Sequence, residues 1–218
     1  MKNHMKHYLP GIIALTAIGF TCPATGDVID LYPVTNDSTI SSDIAPLIGI
    51  EATDAGVGLI NITISNNGDD GTPAIDFVIG QFYIDDLDGA GALISGFDTL
   101  PADWGTPANP SNLPGGDSID FVADASADAD NPATKNGIDV TESATFILSL
   151  TTGTTFLNFM DAVQNADLVL GIKVQSIDVP SSEVEIPAKG DSFASAVPEP
   201  SSLALLSLGG LGILRRRR

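Results

Sequence analysis

From residue 28 to residue 196, short apolar runs alternate with clusters of Gly, Pro, Asn, Asp and Ser. Most of the runs have the two-residue period of strands. Residues 57–66, VGLINITISN, are the clearest case. Ile60, Ile62 and Ile64 share one face, and Leu59, Asn61, Thr63 and Ser65 share the other, which predicts a half-buried strand. The turn-forming run Asn66 to Gly71 follows. Residues 75–85 predict a second strand, with Phe77, Ile79, Phe82 and Ile84 packing inward. Residues 167–179 predict the longest, with Leu168, Leu170, Ile172 and Val174 inward and Lys173 and Gln175 outward. Shorter strands are expected at 28–34, 93–97, 118–123, 144–151 and 192–196. Residues 36–43 read as turn, 101–116 as a Pro- and Gly-rich loop, and 124–139 as an acidic loop. One segment has a different period. Phe156, Leu157, Phe159, Met160 and Val163 fall at helical spacing, and Thr155 stands where a cap belongs, so 156–165 predicts a short helix. The fold class is therefore mainly all-β: an antiparallel β-sandwich with one short helix.

The two ends of the chain depart from this pattern. Lys2 and Lys6 precede an apolar run, 12–20, of signal-peptide length, and Ala24, Thr25 and Gly26 are small residues suited to a signal peptidase. The expectation is a signal helix in 1–26, cleaved after Gly26. The one cysteine, Cys22, leaves with that segment. A lipoprotein reading needs a lipobox, which Gly19, Phe20 and Thr21 do not supply. At the other end stand Pro198, Glu199 and Pro200, then an uncharged run of Leu, Ala, Ser, Gly and Ile at 203–214, then Arg215, Arg216, Arg217 and Arg218. The prolines break the chain, and the arginines act as a stop-transfer cluster. Twelve helical residues reach roughly 18 Å, against a hydrocarbon core of about 30 Å, so the apolar helix suits a temporary anchor in the inner membrane. A plain C-terminal anchor is the other reading.

This tail resembles the PEP-CTERM sorting signal. The resemblance implies export in a Gram-negative bacterium, processing by an exosortase and delivery to the cell surface or extracellular matrix. It also implies association with exopolysaccharide. The domain expectation is then a signal peptide at 1–26, a β-sandwich at 27–196 and a sorting signal at 197–218.

Charge narrows what the body can do. The whole chain carries a formal charge of −19, but residues 27–197 keep only Lys135, Lys173 and Lys189 among the basic residues and all acids except Glu199, a net charge of −24. They contain no His, Cys or Arg. This removes the commonest general base, the thiol nucleophile and the bidentate phosphate clamp. Nucleic acid is excluded as a partner, because like charges repel. Catalysis would have to rest on Asp and Glu alone, as in glycosidases, and Glu51, Glu142, Glu183 and Glu185 show no spacing that suggests a pair. The expectation is a non-catalytic protein.

Two acidic clusters remain as candidate chemistry. One is Asp85, Asp86 and Asp88 before Gly89; the other is Asp124, Asp128 and Asp130 leading to Asn131, Asn136 and Asp139. Calcium takes about six to eight oxygen ligands from such loops, though neither cluster has EF-hand spacing. The bland alternative is a solvated acidic surface. With calcium, the body becomes a candidate calcium-stabilised carbohydrate-binding module. Trp104, the one tryptophan, is either a sugar-stacking platform or a loop anchor.

The body is also similar to a recurrent group of PEP-CTERM proteins. The segments that carry this are residues 81–86, 121–124, 127–132, 136–138, 171–177 and 191–193. The resemblance brings no activity. Before Val174, where that group leads one to expect a histidine, stands Lys173, so no imidazole role transfers.

Overall fold

A computed structural model describes residues 26–38, 40–68, 75–86, 92–178 and 190–195. The expected signal peptide, the sorting tail with Pro198–Pro200 and Arg215–Arg218, Asp88 and Lys189 lie outside the described residues. Two antiparallel sheets face each other. The first contains β1 (Asp27–Val28), β3 (Ile48–Gly56), β4 (Leu59–Asn66), β6 (Ile94–Thr99) and β9 (Ser143–Leu150), in the order β1-β3-β4-β9-β6. The second contains β2 (Tyr32–Pro33), β5 (Asp76–Asp86), β7 (Trp104–Gly105), β8 (Ala125–Ala129), β10 (Leu168–Asp178) and β11 (Ser192–Ala194), in the order β2-β11-β10-β5-β8-β7. The expected sandwich is the observed one. Short helices α1 (Ser41–Ile44), α2 (Ala133–Asn136) and α3 (Phe156–Gln164) join the strands.

The core is what the period-2 pattern aims inward. Ile60, Ile62 and Ile64 of β4, Phe146 and Leu148 of β9, and Leu168, Leu170, Ile172 and Val174 of β10 are all fully buried in one cluster. Each such side chain contributes about 1.5–3 kcal/mol by leaving water. Phe82, Phe97, Trp104 and Phe146 form its aromatic centre, with Phe82 and Phe146 centroids 5.1 Å apart.

Strand β5 carries Phe77 and Ile79, then Phe82 and Ile84, to the same face although the spacing changes parity between them. A β-bulge resolves this: Val174 faces Ile79 while Lys173 faces Gln81, leaving Gly80 as the extra residue. Gln175 of β10 lies across that glycine, and a β-carbon there would stand 2.9 Å from its amide nitrogen.

Several elements differ from the sequence reading. Residues 28–34 are not one strand. The chain pairs with β3 at Asp27–Val28, crosses between the sheets with Ile29 and Leu31 buried, and pairs with β11 at Tyr32–Pro33. Residues 118–123 are not a strand. Gly116–Ile119 forms a 3-10 turn, and Asp120 takes a left-handed φ of 57° that ends any extension. Nor is the stretch after Asp124 simply an acidic loop, because Ala125–Ala129 is strand β8, hydrogen-bonded to β5 and β7. Ala and Asp are weak strand formers, but the open edge of β5 and the burial of Ala127 and Ala129 override propensity. Strand β3 went unread. Its alternation of buried Ile48, Ile50 and Ala52 with outward Gly49 and Glu51 is a strand signal, diluted by small and acidic residues. It turns into β4 through Val57 and Gly58, the latter at a φ of 75°.

The expected helix is α3. Thr155 Oγ1 accepts from Asn158 N at 3.2 Å and Asn158 Oδ1 accepts from Thr155 N at 3.0 Å, a reciprocal cap. Phe159, Met160 and Val163 face the core, whereas Leu157 points to solvent.

Candidate functional site

The outer face of the second sheet is built from the polar half of its alternation. On β10, β5 and β8, Lys173, Gln81 and Asp128 sit directly opposite one another, one per strand. Tyr83 stands two residues along β5, facing Gly171 on one side and Ser126 on the other. The loop after β7 closes over this face. Leu113 and Phe121 bury a second, smaller apolar cluster with Tyr83, Ala108, Val169 and Ala194. Gly171 makes room for it, since a β-carbon there would meet Leu113 and Phe121 at 3.1 Å.

Hydrogen bonds fix the loop to the strands. Gln81 Nε2 donates to Asn109 O at 2.7 Å, and Tyr83 Oη donates to Pro110 O at 3.0 Å. Tyr83 Oη also donates to Gln81 Oε1 at 2.8 Å. Ala108 N donates to Ser126 Oγ, and Asn109 N donates to Asp128 Oδ2 at 3.1 Å. Burial, with a contribution from the Asp128 charge, pushes the Tyr83 phenol far above its ordinary value, so it stays a hydrogen-bond donor.

The loop leaves an opening on each side. One is a polar cleft of about 190 Å³ lined by Gln81, Asn109, Asp128, Asn131, Lys173 and Gln175, with Gly80 in its lining. The other is a shallower groove of about 360 Å³ that includes Phe97, Pro107, Ser111, Asp124 and Ser126. Three of the segments that carry the body's resemblance, at Gln81, Asp128–Asn131 and Lys173–Gln175, meet at the polar cleft. Lys173 supplies a fixed positive charge there, where an imidazole would titrate.

The two predicted acidic clusters are rearranged. Asp85 and Asp86 come together with Asp124, while Asp128 and Asp130 lie farther along β8 and beyond it. The carboxylates near the end of β5 hold backbone. Asp85 Oδ2 accepts from Val122 N at 2.7 Å, Asp124 Oδ2 accepts from Asp86 N at 2.9 Å, and Asp86 Oδ2 accepts from Leu93 N and Ile94 N. Burial raises the Asp85 pKa; the Val122 N–H opposes this, and the Asp124 and Asp86 charges add to it. Asp130 and Asp139 are exposed, and Asn136 donates its amide to Asp130 O at 3.0 Å. Among the described residues, no three carboxylates converge closely enough to hold a metal by themselves.

Trp104 is a core residue. It is 8% exposed and meets Phe146 edge to face at 4.9 Å, so its ring offers no free surface for a sugar. Sequence reasoning missed the cleft because its residues come from strands far apart in the chain. The one available signal was the outward pairing of Lys173 with Gln175.

Residues 196–218 match the PEP-CTERM protein-sorting motif. No curated protein and no solved structure matches the chain. The motif marks an exported, cell-surface protein sorted by an exosortase. Among the described residues, no helix is long and apolar enough to cross a membrane; the apolar run at 203–214 lies outside them.

Proposed function

We propose that residues 27–196 form a non-catalytic surface or matrix domain that contacts exopolysaccharide through the polar cleft of the second sheet. A signal peptidase acts at the leader, and the apolar tail helix holds the protein in the inner membrane until the exosortase acts. The observation that supports the binding reading is the cleft lining of Gln81, Asn109, Asp128, Asn131, Lys173 and Gln175. Amide and carboxylate side chains offer the paired donors and acceptors that sugar hydroxyls require. A volume of about 190 Å³ suits one sugar unit. With a body charge of −24, a neutral stretch of polymer is favoured over an anionic one.

The test is retention of the exported protein on the producing cells' own extracellular polysaccharide, in calcium and in EDTA. The expected result is retention in both, lost in the double variant Asn131→Ala/Gln175→Ala and little changed by salt. Absent retention, or retention untouched by that variant, removes the cleft as the site. Hydrolysis of the polymer would overturn the non-catalytic reading.

A further inference from the structure

The C-terminal end of α3 has the wrong charge for a helix. That end carries the negative pole of the helix dipole and favours Lys, Arg or His. Here the last turn has no basic residue. Asp161 lies in it, and Asp167 follows just beyond it. Both line a cavity of about 380 Å³ together with Asn158, Asn165, Ala162, Leu93 and Asp86.

Asp86 adds an independent anomaly. It is 7% exposed. Its Oδ2 accepts from both Leu93 N and Ile94 N. Its Oδ1 is buried with no hydrogen-bond partner, alone in this among the described residues. An unpartnered buried carboxylate oxygen costs about 1–3 kcal/mol or more, so its persistence calls for a compensating group. The backbone at this corner is already committed: Asp167 N donates to Ala162 O at 2.9 Å and Ala166 N to Val163 O at 3.3 Å.

We infer that this cavity binds a divalent cation, calcium in class, between Asp86 and the turn from α3 into β10. The site is distinct from both acidic loops read from the sequence, sharing only Asp86 with them. Asp86 supplies the buried oxygen. Asp161 and Asp167, both exposed and free to turn inward, supply carboxylates, and Asn165 supplies an amide oxygen. Water completes a shell of about six to eight oxygens, as calcium accepts and magnesium tolerates poorly. The ion neutralises the helix end and ties α3 to the end of β5. The inference does not depend on the polysaccharide reading.

The experiment titrates calcium chloride into the exported protein after EDTA stripping, by calorimetry, with thermal unfolding alongside. Wild type should bind one calcium ion and gain several degrees in Tm, with magnesium a poor substitute. Asp161→Asn/Asp167→Asn, at exposed positions that leave the core alone, should weaken binding at least about tenfold through lost ligand charge and lose the Tm shift. Asp128→Asn and Asp139→Asn, remote from the cavity, should retain both. No binding by wild type overturns the inference, and so does binding that survives Asp161→Asn/Asp167→Asn.

Discussion

Asp191 and Ser38, far apart in sequence, are joined in the interior, where the Asp191 carboxylate accepts from both the backbone N–H and the hydroxyl of Ser38. It also accepts from Asp37 N at 2.7 Å, and Ser192 N returns a hydrogen bond to Thr35 Oγ1 at 2.9 Å. Asp191 is fully buried. The pairing anchors β11, the last strand before the sorting motif, to the segment that follows β2. Removing the carboxylate strands several donors. Asp191→Ala should therefore cost about 3 kcal/mol and Asp191→Asn about 1 kcal/mol, read by urea unfolding. Equal effects of the two variants would show that the charge-assisted bonds contribute little.

Asp85 gives the protein a pH signature. Its folded pKa lies above the ordinary aspartate value, so the folded state holds the proton to higher pH than the unfolded chain does. Stability from this group falls as pH rises from about 4 through the raised value, and the penalty is complete above it. Asp85→Asn still offers an oxygen to Val122 N. Relative to wild type, the variant should be more stable at pH 7 than at pH 4. A stability difference that is the same at both pH values would sink the assignment.

Trp104→Ala should behave as a core truncation, costing about 3–5 kcal/mol, while the molecules that remain folded keep whatever polysaccharide retention the wild type has. Loss of retention at full stability would restore the ring as a sugar platform.

Gly137 is enclosed by backbone. A β-carbon there would stand 2.6 Å from Ile79 O and 2.8 Å from Ala133 O, neither of which can rotate away. Gly137→Ala should cost about 2 kcal/mol and disturb the bridge between Ile79 and Ile138. A neutral result in thermal unfolding would mean that the turn after α2 yields easily.

Where alternation is strong, as in β4, β9 and β10, strand and inward face could both be read from the chain, because side-chain direction follows from a local two-residue period. The helix was legible for the same kind of reason, with Thr155 marking its start. Strand β8 was not. Ala125 to Ala129 has little strand propensity and becomes a strand because β5 presents an unpaired edge. Asp85 and Asp86 looked like loop ligands in sequence, yet the fold buries them as acceptors for Val122, Leu93 and Ile94. Only contacts between distant segments could reveal that.

The sequence by itself determined the sandwich class, the acidic body and the sorting motif at 196–218, because periodicity, charge and a contiguous motif are properties of neighbouring residues. Tertiary structure alone decided that Lys173, Gln81 and Asp128 form one row, that Trp104 is interior, and that Asp86 meets Asp161 and Asp167 at one cavity. Those relationships depend on strand order, on register and on a bulge at Gly80. Sheet pairing fixes these across the whole chain, and no short stretch of sequence contains them.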